Sequence, residues 1–144
     1  MTLPSSWLIY ALLSALFAGL TTILAKVGVS GVDSNLATAI RTIVILLFAW
    51  GIVLAQGTTP QLSHLSRTTW LFLILSGVAT GLSWLFYFRA LQIGRAVQVA
   101  PIDKLSLVLA VIMAVIFLKE KLTVSNAVGA SLIALGALVM AIWQ

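Results

Sequence analysis

The chain has 144 residues, of which 62% are hydrophobic and only 8% charged, with eight Lys and Arg against three Asp and Glu. Water-soluble domains carry roughly 25% charged residues, so this composition, with a mean hydropathy of +1.19, cannot clothe a compact surface facing water and marks an integral membrane protein. The absence of cysteine excludes disulfides, thiolate metal sites and thiol catalysis, and the single histidine, His64, argues against a histidine-based metal centre.

The charges are clustered and leave uncharged runs at 1–25, 42–66, 68–88, 105–118 and 122–144. About 20 apolar residues cross a hydrocarbon core of roughly 30 Å. The runs therefore predict one transmembrane domain over 1–144, with five helices at about 5–25, 35–56, 69–91, 100–118 and 124–143. Their apolar character is continuous, without the alternation of barrel strands, so the fold class is all-α.

The first run carries no Lys or Arg before Trp7 and is longer than a signal core, so it reads as a retained helix. Ala11, Ala15, Ala18, Thr22 and Ala25 form a small-residue stripe along it, which predicts close helix contacts within the protomer or across a dimer. Gly28 and Gly31 punctuate the first connection, and Ser34 or Asp33 can cap the second helix. Arg41 falls about 9 Å into that helix at a rise of roughly 1.5 Å per residue. Two readings fit it: the guanidinium snorkels to the interface, or it faces the bundle, where it holds an anionic group of a substrate or pairs with Asp103.

Gly57, Pro60 and the polar run to Thr69 make the second connection the longest. On the third helix Ser76, Thr80, Ser83 and Tyr87 share one face, with Gly77, Gly81 and Trp84 alongside. Either the hydroxyls bond back to backbone carbonyls and the glycines allow packing, or the face is a polar cavity wall in which Trp84 and Tyr87 meet a substrate. Gly94 marks the next turn.

The fourth run reaches spanning length only by extending upstream through Lys104 and Asp103 toward Pro101. Pro101 lacks an N–H and suits the first helical position, which would put Asp103 in the first turn, at the positive end of the helix dipole. The rival reading is a partly unwound helix end on a transport path, with Asp103 and Lys104 as an ion pair or ligand contacts. Asp103 is then the obvious candidate for proton coupling. Thr123 or Ser125 can cap the last helix, whose Ala130, Ala134, Ala137 and Ala141 form a second small-residue stripe. Trp7, Trp50, Trp70 and Trp143 fall near helix ends, where amphipathic rings suit the headgroup region.

The loops bring Arg67, Lys119 and Lys121 to the side of the N-terminus and Lys26, Arg89 and Arg95 to the other. So even a division is compatible with one orientation winning by a weak bias, or with insertion both ways and an antiparallel homodimer. The pI of 10.3 does not point to nucleic acid, because the basic residues are dispersed between apolar spans. The sequence contains no HExxH, GxSxG, catalytic carboxylate pair or phosphate-binding glycine loop, so no enzyme activity, metal or cofactor is expected.

The run Tyr87-Phe88-Arg89-Ala90-Leu91 leading to Val99-Ala100-Pro101-Ile102-Asp103-Lys104-Leu105-Ser106, then Phe117-Leu118-Lys119-Glu120-Lys121-Leu122-Thr123, then Gly129, Leu132-Ile133 and Gly136, resembles a single EamA domain of the drug/metabolite transporter superfamily. Arg41 matches an arginine often present in the second helix of that family. The resemblance covers nearly the whole chain. It implies a half-size, five-helix member, since the family commonly carries two such domains in inverted topology around a central cavity, and an antiparallel homodimer would rebuild that pair. A hetero-partner is the other arrangement it allows. Small multidrug resistance transporters are similar in plan, but they use a glutamate in the first helix, which here contains no acid.

The resemblance implies a multi-pass protein of the cytoplasmic (inner) membrane, among lipids, moving small organic metabolites or drug-like compounds by alternating access. Arg41, Ser83, Trp84, Tyr87, Asp103 and Lys104 are the expected substrate contacts. The competing function is a non-transporting scaffold or regulatory subunit of a larger membrane complex.

Overall fold

The structure is a computed structural model, and it describes residues 6–142. It is all-helical over those residues: α1 (Ser6–Gly28), α2 (Ser34–Ala55), a short 3₁₀ segment (Thr59–His64), α3 (Arg67–Ile93), α4 (Ala96–Asp103), α5 (Leu105–Phe117) and α6 (Val124–Ile142). Five spans are long and apolar enough to cross a membrane, α4 and α5 together forming the fourth over Ala96–Phe117. The expected all-α, five-span class is thus the observed one. Trp143, expected near a helix end, lies outside the described residues.

The spans expose their largest apolar side chains, including Leu24 (70%), Phe48 (72%) and Phe86 (74%). Fully burying such a side chain is worth about 1.5–3 kcal/mol relative to water, so dozens of them on display require a lipid solvent. The chain forms a multi-pass membrane protein.

Backbone ends are satisfied locally. Asp33 caps α2, its Oδ1 accepting from the N–H groups of Asn35 (2.9 Å) and Leu36 (3.1 Å). At the other end of α2, Gly57 adopts φ +65°. Its N–H bonds the Leu54 carbonyl while that of Thr58 bonds Val53, the paired bonds of a Schellman motif, for which glycine pays no Cβ penalty. Thr123 Oγ1 accepts from the Asn126 N–H at the start of α6, so Thr123 is the cap there.

The described residues divide into two compact units, residues 25–92 and residues 6–24 with 93–142. The first holds the end of α1, α2 and α3. Its buried residues are Ala25, Val29, Phe88 and Leu91, joined by Ser34 and Thr38. Thr38 Oγ1 donates to the Ser34 carbonyl at 2.8 Å, so its burial leaves no polar group unsatisfied. Two long side chains fasten this unit: Lys26 Nζ donates to the Leu91 carbonyl (2.6 Å), and Gln92 Nε2 to that of Val32 (2.8 Å). In the second unit α6 packs on both α4 and α5. The α6 small-residue stripe serves that packing, with Ala137 buried and Ala130, Ala134 and Ala141 partly so.

The fourth span corrects the expected start at residue 100. It begins four residues earlier, so Pro101 is inside α4 and Asp103 is its last residue, not a first-turn acid. The span then breaks at Lys104: the Lys104 N–H bonds the Pro101 carbonyl and the Leu107 N–H bonds the Lys104 carbonyl, both three residues back. Pro101 loosens the turn that precedes the break, since it has no N–H to give the Val97 carbonyl and its ring crowds that turn.

Candidate functional site

Arg41 is the eighth residue of α2 and half-buried. Its guanidinium carbon lies 4.7 Å from the centre of the Trp84 ring and 5.2 Å from that of Phe88. Trp84 and Phe88 stand four apart on α3, so one helical turn presents both rings to the same cation. The negative ring faces offset part of the cost of holding a guanidinium away from bulk water. Phe88 is buried and meets Tyr87 edge-on, with centroids 6.4 Å apart and planes at 68°.

Of the third-helix residues expected to meet a substrate, Trp84 and Tyr87 are half-buried in this cluster, whereas Ser83 is exposed. Part of the hydroxyl face bonds inward, with Thr80 Oγ1 on the Ser76 carbonyl at 2.9 Å. Phe88 was not among the expected contacts, although its place four residues beyond Trp84 was the available signal.

In the other unit, Asp103 and Lys104 form the ion pair that one reading anticipated, Nζ to Oδ2 at 3.2 Å. It sits at the helix break and is partly exposed on both sides, so it contributes little to stability. The Asp103 carboxylate has a cation beside it in sequence and needs no distant one.

Lys104 also lines an open-sided cavity of about 720 Å³ contained within this unit, most of its α1 residues being exposed. One wall is Ala11, Ala15, Ala18 and Gly19 of α1, and the opposite wall is Ala100 and Pro101, with Met140 of α6. Four residues of the α1 stripe, Ala11, Ala15, Ala18 and Thr22, line this hollow, while Ala25 is buried in the other unit. Small side chains suit both outcomes, since each needs the helix to lack bulk. The polar groups are few: Lys104, Ser14 and Thr22, the last with its hydroxyl donating to the Ala18 carbonyl at 3.0 Å. Val97, whose carbonyl lost its helical partner to Pro101, lines the same space. An apolar hollow with a few polar groups, of a volume within the roughly 300–1,000 Å³ range, is the usual form of a small-molecule site.

Five apolar spans, a broken fourth span and a cavity at the break are the setting in which comparison with known proteins becomes informative. Residues 5–142 match the EamA-like transporter family. The chain belongs to that family. It is also 52% identical over 141 residues to an "Uncharacterized transporter in cobO 3'region" from Sinorhizobium sp, the match covering 98% of this chain and 100% of the relative. No solved structure matches. This EamA chain is accordingly a membrane transporter of the drug/metabolite superfamily, as the motif order around Pro101 and Lys119-Glu120-Lys121 implied.

Proposed function

We propose that the protein moves small organic metabolites or drug-like compounds across the cytoplasmic membrane by alternating access, as an antiparallel homodimer. Substrate contact in the course of transport is assigned to Arg41, Ser83, Trp84, Tyr87, Asp103 and Lys104. The observation that carries this reading is the cavity of about 720 Å³ beside the proline break, with Lys104 on its wall. Broken helices in transporters free backbone groups for substrate and supply a point of bending between access states. The near-even division of loop charges supports insertion in both orientations.

Reconstitution tests it. Protein in liposomes is expected to give saturable flux of some members of a labelled panel of small metabolites, and Ala18→Phe, which narrows the cavity, is expected to lower that flux while the protein still folds. Absence of flux across the panel, together with copurification of one stable partner, would overturn the reading in favour of a scaffold. Tags on one terminus should be reached from both sides of the native membrane. Labelling from one side only removes the antiparallel dimer.

A further inference from the structure

The unit of residues 25–92 contains one acid, Asp33, and its Oδ1 is occupied by the N–H groups at the start of α2. Two of the basic residues in that unit have acceptors: Lys26 donates to the Leu91 carbonyl, and Arg89 Nη1 to Gln92 Oε1 at 2.6 Å. Arg41 differs. Its contacts with Trp84 and Phe88 are to ring faces, and none of its N–H groups has a hydrogen-bond acceptor among the described residues. A cation–π contact uses none of the guanidinium's N–H groups in a conventional hydrogen bond, and those donors match a planar pair of anionic oxygens.

We propose that Arg41 is an anion-binding residue and that the transported compound is an organic anion, a carboxylate or sulfonate on an apolar body. The inference rests on the transporter reading and names its substrate class. The charge follows from the unanswered donors of a cation set eight residues into a span, where leaving them unpaired is costly. The apolar body follows from the surroundings, since Trp84, Tyr87 and Phe88 flank the same guanidinium or one another with ring surface.

Benzenesulfonate and the neutral, isosteric benzenesulfonamide test the proposal. Each is titrated against protein in phosphatidylcholine nanodiscs, for wild type, Arg41→Lys and Arg41→Gln, with the thermal midpoint as readout. Benzenesulfonate is expected to raise the wild-type midpoint and benzenesulfonamide to leave it unmoved. Affinity for the anion should fall about tenfold or more in Arg41→Gln, and by less in Arg41→Lys, which keeps the charge but not the planar fork. An equal response to the sulfonamide, no response to the sulfonate, or an unchanged sulfonate response in Arg41→Gln overturns it. A midpoint raised by phosphatidylglycerol in the disc but not by the sulfonate also overturns it, assigning Arg41 to a lipid headgroup. Should Arg41→Gln fail to fold, the wild-type pair of ligands and Arg41→Lys carry the test. Flux separates the two readings: sulfonate binding without flux of any compound removes the transporter but keeps the anion site, whereas flux of neutral compounds indifferent to Arg41 keeps the transporter and removes the anion site.

Discussion

Lys26 Nζ lies 2.6 Å from the backbone carbonyl of Leu91, a contact that joins the end of α1 to the last turn of α3 across 65 positions of sequence. The terminal carbonyls of a helix have no intrahelical donor and carry the negative end of its dipole, so a lysine there satisfies an acceptor and a charge at once. Leu91 is fully buried, which denies that carbonyl ready access to water. Lys26→Met is expected to cost about 1–3 kcal/mol, and Lys26→Arg less. Denaturation of the two variants in detergent micelles checks it; equal midpoints for Lys26→Met and wild type would show that the bond does not fasten the unit.

The Arg41–Trp84 cation–π contact predicts a measurable coupling. Trp84→Leu removes the better of the two ring faces, and Arg41→Gln removes the cation. A double-mutant cycle should give an interaction of about 1–2 kcal/mol, with Trp84→Phe retaining part of it. Additive losses in the cycle would mean that the rings pack on α2 without holding the charge.

The spans, the Asp33 cap and the terminating role of Gly57 are legible in sequence because each depends on neighbours within one helix or one turn. The start of the fourth span is not. Arg95 offers α4 no side-chain cap, and residues 96–99 carry no start signal, so Pro101 reads equally well as a first or an interior helical residue. Arg41 against Trp84 and Phe88 is hidden for a different reason: it requires the register of α2 against α3, which no local pattern encodes. The α1 stripe is legible as a surface without bulk, but close contact and cavity wall ask the same of a sequence.

Glycines separate turn geometry from helix contact. Gly57 sits at φ +65°, where a Cβ is strained, so Gly57→Ala should cost about 1 kcal/mol. Gly77 and Gly81 are helical, and a Cβ at either would meet nothing within 4 Å. Alanine at both should therefore be neutral or stabilising in the monomer, by up to about 1 kcal/mol each from helix propensity. If their GxxxG spacing serves the proposed homodimer, Gly77→Ile with Gly81→Ile should abolish crosslinked dimer in membranes while the monomer keeps its midpoint. Dimer surviving that pair places the interface elsewhere.

Pro101 makes the last prediction, one in which stability and function move oppositely. Alanine there restores an N–H for the Val97 carbonyl and removes the ring from the preceding turn, so α4 and α5 can join through Lys104 as one helix. The gain is bounded by the roughly 3 kcal/mol that proline costs in a helix interior. Amide hydrogen exchange should slow at residues 101–107, where the bonds of Lys104 and Leu107 now reach back only three residues. Flux should fall, because a continuous span pairs the Val97 carbonyl and removes the irregular turn beside Asp103 and Lys104. Pro101→Gly distinguishes the two effects: it supplies the N–H yet leaves the segment pliable, so it should retain more flux than Pro101→Ala. Equal flux in the alanine variant and wild type would show that the break is a packing feature with no part in transport.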